Sequence, residues 1–412
     1  MTPIASDEGI EPLVAAHVAR RAEAGRRFFD AEGDRIARLC HRMAERFARG
    51  GRLVAFGRSP AARSDARHVA VEFVHPVIVG KRALPALGLA GEGGPLPAQV
   101  DLAAAPDDIA MAFGTEDGCA ETAEALDTAA RRGCLTVAFS RAGAEWDFEV
   151  PAEDPFVRQE TVETLYHVLW EHVHIFFDHR GLLEGRDTRK THDTGASSFL
   201  YPFLSEREHD LDAVLGDVRR SVAMKAEEVA ALRTRTLTEG GETIAGAARA
   251  LREAFEAGGK LLVLGNGGSA TDAMDAVADF RIPPVPGWTA RPALDLTEDT
   301  GIITAVANDI GVEAIFARQI IAYGGRGDVA MALSTSGNSV NIIAALAEAR
   351  RRGLTTIAMV GYDGGRVAEE GLADHVVVTR SEHIPRIQEA QASAYHVLRE
   401  LVERVGPSEP AR

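Results

Sequence analysis

Residues 327–339 read Gly-Asp-Val-Ala-Met-Ala-Leu-Ser-Thr-Ser-Gly-Asn-Ser. The apolar run Val329–Leu333 shows no alternation of polar and apolar side chains, so it is expected to be a strand buried on both faces of a parallel sheet. After it come four hydroxyl side chains and a glycine. The next stretch, NIIAALAEARRRG (341–353), has apolar residues at helical spacing and ends in glycine, a normal helix stop. A strand-to-helix turn of this kind presents free backbone N–H groups at the positive end of the helix dipole. Together with the hydroxyls of Ser334, Thr335, Ser336 and Ser339, it makes a cradle for an anion that needs no lysine.

A second turn of the same type lies upstream. Gly258-Gly-Lys-Leu-Leu-Val-Leu-Gly265 reads as a strand, Asn266-Gly267-Gly268-Ser269 as the turn, and a helix opens at Ala270. Alone, a glycine-rich turn is a weak signal, because many strand-to-helix connections need glycine for positive φ. In order, the two turns point to one polar or anionic ligand. Alternating strands and helices imply a doubly wound α/β layer structure with a parallel sheet.

Working outward, the same pattern occurs earlier in the chain. GGRLVAFG (50–57) matches GGKLLVLG (258–265), an offset of 265 − 57 = 208. DIAMAFGTEDG (108–118) matches DVAMALSTSGN (328–338), and RRGCLTVAFS (131–140) matches RRGLTTIAMV (351–360), both at offset 220. Tyr166-His167-Val168-Leu169 matches Tyr395-His396-Val397-Leu398 at offset 229. The order is kept and the offset grows only in loops, as expected of two tandem copies. The expected organisation is a first domain at 1–180, a polar linker at 181–210 and a second domain at 211–412. Long amphipathic helices are expected at 12–49 and 210–257.

Bulk composition agrees with this. A chain of 412 residues is too long for one ordinary core and suits two. With 46% hydrophobic and 26% charged residues it reads as a globular protein. No apolar run approaches the ~20 residues of a membrane span, and the N-terminus lacks a signal-like apolar stretch, so a cytoplasmic location without a membrane partner is expected. The net charge of −16 argues against a nucleic-acid partner, which depends on Lys/Arg clusters. Cys40, Cys119 and Cys134 are scattered and lack CxxC spacing, so neither disulfides nor a thiolate zinc site is expected.

The second copy resembles the SIS (sugar isomerase) domain family, and within it the phosphoheptose isomerases. The residues that carry the resemblance are GGKLLVLGNGGSATDAM (258–274), AVANDIGVEAIFARQ (305–319), GDVAMALSTSGNS (327–339) and RIQEAQASAYHVL (386–398). The resemblance implies isomerisation of sedoheptulose 7-phosphate to an aldoheptose 7-phosphate. It implies phosphate binding by Ser334, Thr335, Ser336 and Ser339, and sugar contacts from Asn266, Asp309 and their neighbours Gly267 and Ser269. It also implies a His-x-x-x-Glu on the helix after the first turn, the glutamate being the base and the histidine part of a metal site. Gln388 and His396 are the other family residues retained.

Here the second copy departs from the pattern, with Asp275 and Asp279 at those positions. The intact pair occurs in the first copy as His68 and Glu72, one helical turn apart and so on one face. Gln159 and His167 align with Gln388 and His396. A metal set of His68, Glu72, Gln159 and His167 is therefore expected, suited to zinc or another divalent ion, and no nucleotide cofactor is expected. The first copy's counterpart of the hydroxyl loop, Gly114-Thr115-Glu116-Asp117-Gly118-Cys119, carries two carboxylates that would repel a phosphate.

This complementarity leads to the expectation of a composite active site in which Glu72 and His167 move protons and the second copy holds the phosphate, with Asp279 and His396 as the second copy's own acid–base residues. Because the family's enzymes are tetramers, the resemblance implies a homodimer that forms a pseudo-tetramer. Two alternatives stay open: a sugar-phosphate sensor or scaffold that binds without turnover, and an isomerase of another sugar phosphate.

Overall fold

The computed structural model describes residues 10–77, 81–90, 93–115, 118–178, 183 and 210–404. The expected linker at 181–210 lies outside these residues except for Leu183 and Asp210, as do Glu116 and Asp117. Among the described residues, no helix is long and apolar enough to cross a membrane.

The first sheet consists of β1 (Leu53–Phe56), β2 (Ala86–Leu89), β3 (Ile109–Ala112), β4 (Leu135–Ala138) and β5 (Trp146–Asp147), in the spatial order β2-β1-β3-β4-β5. The second consists of β6 (Leu261–Gly265), β7 (Ala293–Asp295), β8 (Val329–Ser334), β9 (Thr355–Gly361) and β10 (His375–Thr379), in the order β10-β9-β8-β6-β7. Read from the other edge, that is the same order. All pairs are parallel. Both sheets are thus the doubly wound α/β fold that the strand-loop-helix pattern implies.

The inner strands β1, β3 and β6 are apolar throughout because both faces are covered. In β6, Leu261 and Val263 join one apolar cluster while Leu262 and Leu264 join another. In β1, Leu53 and Ala55 are likewise separated from Val54 and Phe56. Period-two side-chain geometry therefore operates without any polar alternation in the sequence.

The helices on the first sheet's side of the chain are α1 (Ile10–Ala48), α2 (Pro60–Val74), α3 (Leu96–Ala103), α4 (Ala120–Arg131) and α5 (Pro155–Asp178). They are followed by α6 (Leu211–Glu256), α7 (Gly268–Arg281), α8 (Thr300–Asp309), α9 (Ile315–Tyr323), α10 (Val340–Arg351), α11 (Gly365–Glu369) and α12 (Ile384–Arg404). Ser59 caps α2 by accepting from Ala62 N, with Pro60 in the first turn. Asp299 caps α8 through Ile302 N.

The same side-chain clamp enters both sheets. Asp108 accepts from Arg52 N at 2.8 Å and from its guanidinium, and Asp328 accepts from Lys260 N at 2.9 Å and from its ammonium at 2.6 Å. Each carboxylate fixes the start of one central strand to the start of the next.

The chain forms two compact units. The first-sheet unit comprises Ala24–Glu153 and Thr161–Glu228, and the second-sheet unit comprises Met1–Glu23, Asp154–Glu160 and Val229–Arg412. The division runs inside α1, α5 and α6, so Ile10–Glu23 of α1 and the first turn and a half of α5 belong with the second sheet.

Candidate active site

In the strand order of the second sheet, direction of winding reverses between β6 and β8, and the crevice at the carboxyl ends of those strands is where doubly wound folds bind ligands. Both turns singled out from sequence lie there. Gly267 precedes α7 with φ +57°, a left-handed conformation that glycine adopts without strain, and no side chain caps this helix. Ser269, in the first turn, is buried.

After β8, the loop holds itself in shape. Ser334 Oγ accepts from Gly337 N and Ser336 Oγ accepts from Asn338 N, both at 3.2 Å. Gly337 has φ +63°, and a β-carbon there would come within 2.1 Å of the Gly364 carbonyl oxygen. Ser339 stands at the N-cap of α10, yet its hydroxyl makes no cap hydrogen bond. Thr335 and Ser336 are half-buried. Asn266 and Asn341 join the two turns through a reciprocal amide pair at 3.0 and 2.8 Å. Asp309 is exposed at the end of α8 and accepts from Asn308 Nδ2.

A buried polar cluster lies in the same unit. Asp275 and Asp279 share one face of α7, and His396 projects from α12; all three are almost fully buried. His396 Nε2 lies 3.3 Å from Asp275 Oδ2 and 3.4 Å from Asp279 Oδ2, while Nδ1 lies 2.8 Å from Glu160 Oε1. Tyr395 Oη and Gln159 Nε2 each donate to Asp275 at 2.8 Å. Phe156 stacks on the His396 ring at 4.5 Å. Gln388 is buried two turns before His396 on α12.

Burial and the adjacent Asp275 carboxylate push the Asp279 carboxyl well above the usual range. For His396, burial disfavours the charged ring, but hydrogen bonds to Asp275 and Glu160 and the nearby Asp279 outweigh it and raise the group to about 10. Burial would raise Glu160 too; the Arg21 charge and the His396 contact overcome it and hold the carboxyl well below its ordinary value. A carboxyl of raised proton affinity beside a proton-holding imidazole is an acid–base couple.

The first-sheet unit has its own cluster. His68 Nε2 lies 3.9 Å from Glu72 Oε1, one turn on along α2. The His68 and His167 rings meet edge to face at 5.1 Å. Burial, then the neighbouring His167, push the His68 imidazole well below its ordinary value, which keeps it neutral as a metal ligand must be. Ligand atoms of His68, Glu163 and His167 all lie within 4.8 Å of one another, and all three residues are buried. The same spacing holds for Asp275, Asp279 and His396.

Gln159, expected in the ligand set, has Asp275 as its hydrogen-bond partner. It belongs to the second-sheet unit, where it binds Asp275, whereas His68, Glu72 and His167 belong to the other unit. Alignment assigned it by position in the repeat, but α5 is divided one residue after it, between Glu160 and Thr161. Glu160, Arg21 and Glu163 were not anticipated. A sequence hint existed for the first, since Gln159-Glu160 matches Gln388-Glu389 at offset 229.

Comparison with known proteins agrees with the fold and the loops. A SIS domain family model matches residues 226–361. The chain is 40% identical over 190 residues to a phosphoheptose isomerase from Solidesulfovibrio magneticus, which covers 45% of this chain and 89% of that one. It is 42% identical over 179 residues to the phosphoheptose isomerase of Pelodictyon phaeoclathratiforme, covering 43% of this chain and 84% of the relative. In structure, tagatose-6-phosphate ketose/aldose isomerase from Escherichia coli aligns over 98% of this chain and 94% of its own, with a TM-score of 0.56 at 13% identity, a likeness of fold. With relatives this similar over most of their length, the chain belongs to the phosphoheptose isomerase family of SIS-domain proteins and is an isomerase.

Proposed function

We propose that the enzyme interconverts a ketose phosphate and an aldose phosphate, with sedoheptulose 7-phosphate as the ketose. The observation that carries this reading is the pair of turns at the β6/β8 crevice, tied by Asn266 and Asn341, in the same unit as the buried Asp279–His396 couple. The phosphate is held by the Ser334–Ser339 hydroxyls and the amides that open α10, which suits a chain of net charge −16. Asn266, Gly267, Ser269 and Asp309 contact the sugar, and Gln388 lies on the helix that carries His396.

Chemistry of this class moves one proton between adjacent carbons. A base removes the proton from the carbon beside the carbonyl, an enediol forms, and the proton returns to the former carbonyl carbon while the hydroxyl proton crosses between the oxygens. Asp279 is the base in this reading, because its raised proton affinity makes it a stronger base than an ordinary aspartate. His396 carries the proton that compensates charge on oxygen.

His68, Glu163 and His167, with Glu72 beside them, fit a divalent ion such as zinc: two imidazoles and a carboxylate, buried and mutually close. Such an ion, when bound, acts as a Lewis acid toward an oxygen ligand. Glu72 and His167 remain the candidates for proton transfer in the first-sheet unit.

Incubation with sedoheptulose 7-phosphate in heavy water tests the reading: deuterium is expected at C1 or C2. Ser336→Ala is expected to raise KM, and Asp279→Asn to lower kcat by about 10²-fold or more. Measured alongside, Glu72→Gln reports whether the first-sheet unit shares in turnover. Ligand binding with no deuterium uptake in the unaltered enzyme would point to a sensor instead. Sedimentation checks the expected homodimer.

A further inference from the structure

Glu160 is a buried carboxylate, 1% exposed, and a buried charge is costly unless paired. Arg21 meets that need. Its Nε donates to Oε2 at 2.9 Å and its Nη2 to Oε1 at 2.7 Å, a two-pronged fork from a side chain that is itself buried. Ser393 Oγ also donates to Oε2, and Arg233 Nε lies 3.8 Å away. One anion thus has two cations and a hydroxyl before His396 is counted, so the 2.8 Å contact to Nδ1 is not required to make the carboxylate tolerable in the interior. Its consequence falls on the histidine.

A proton held on Nδ1 by a carboxylate fixes both the ring's orientation and what the other nitrogen faces. Here Nε2 is left toward Asp275 and Asp279. Phe156, one helical turn before Glu160, covers the ring face, and Gln159 fixes Asp275. One turn of α5 therefore touches the second-sheet site at three points, although in sequence it belongs to the first copy.

Resting on the functional reading above, we infer that Glu160 is a positioning residue for the isomerisation: it fixes His396 through Nδ1 so that Nε2 is presented to Asp275 and Asp279. It acts through the histidine and has no contact with substrate.

The experiment uses the full chain with ring-15N histidine, in the unaltered enzyme and in Glu160→Gln, Glu160→Asp and His396→Gln. The unaltered enzyme is expected to show a downfield imidazole N–H resonance that His396→Gln abolishes. Glu160→Gln is expected to remove it or move it upfield. With sedoheptulose 7-phosphate, Glu160→Gln is expected to lose about 10- to 100-fold in kcat, the size seen when the carboxylate behind an oriented histidine is removed, with KM within about twofold. Glu160→Asp keeps the charge, and is expected to retain the resonance and recover part of kcat; it also stands in if the glutamine variant does not fold. A resonance unchanged in Glu160→Gln, or one lost with kcat intact, overturns the inference. An unaltered enzyme without turnover overturns only the functional reading, and the resonance still decides the contact.

Discussion

Asn266 and Asn341 face one another as a closed amide pair, each donating its side-chain N–H to the other's oxygen, at 3.0 and 2.8 Å. One sits in the turn after β6 and the other in the first turn of α10, so the pair ties together the two turns proposed to hold the ligand. Asn341 is buried. Asn341→Ala leaves the Asn266 amide without that partner, and a cost of about 1–3 kcal/mol is expected in urea unfolding. KM for sugar phosphate should rise with it; an unchanged KM would show that the turns keep their spacing without the clamp.

Gly337 offers a second test of loop shape. With φ +63° and the Gly364 carbonyl 2.1 Å from where a β-carbon would stand, Gly337→Ala meets both backbone strain and a clash. A loss of roughly 1–3 kcal/mol is expected, together with weaker retention of inorganic phosphate in a binding titration. Gly258→Ala is the matched control, because φ there is +84° but no atom lies within 4 Å. It should cost less and leave phosphate binding alone.

The proton on His396 gives stability a defined pH dependence. Its ordinary value is about 6.5, and in the folded protein it is raised to about 10. The native state therefore holds a proton that the unfolded state has released between those values. The associated stability is fully present below about pH 6.5 and is lost as pH rises through about 10, with a slope approaching 1.4 kcal/mol per pH unit from this group alone. Urea midpoints from pH 6 to 10.5, compared with those of His396→Gln, isolate the contribution. Curves that run parallel would remove it.

Thiol reactivity should divide the three cysteines. Burial pushes Cys40 up, and burial followed by the Asp108 charge raises Cys134 to about 11. Cys119, half-buried at the start of α4, is lowered, chiefly by its hydrogen bond with Thr122. At pH 8 an aromatic disulfide reagent is expected to titrate one thiol quickly in the native enzyme and all three after denaturation. Cys119→Ser should abolish the fast phase.

Much of this was legible from residue order. Val329–Leu333 and Leu261–Leu264 announce strands covered on both faces because they contain no polar residue, and the sheets place them side by side. The hydroxyls of 334–339 and the turn at 266–269 could be read because strand-to-helix turns are local structures. Asp328 and Asp108 match in the repeat, yet their clamping of Lys260 and Arg52 becomes visible only with the register. What Gln159 and Glu160 bind was out of reach for a different reason. Their partners Asp275 and His396 are more than a hundred residues away, and nothing local in α5 marks the point where the helix changes allegiance from one sheet to the other.

That change of allegiance gives the join between the copies a structural role. Cutting the gene between its two copies, at 181–210, would free a fragment carrying the hydroxyl loop but stripped of Phe156, Gln159, Glu160 and Arg21. Its histidine would lose ring cover and anchor together. The covalent link between the copies thus keeps the second sheet supplied with side chains that its own copy does not encode.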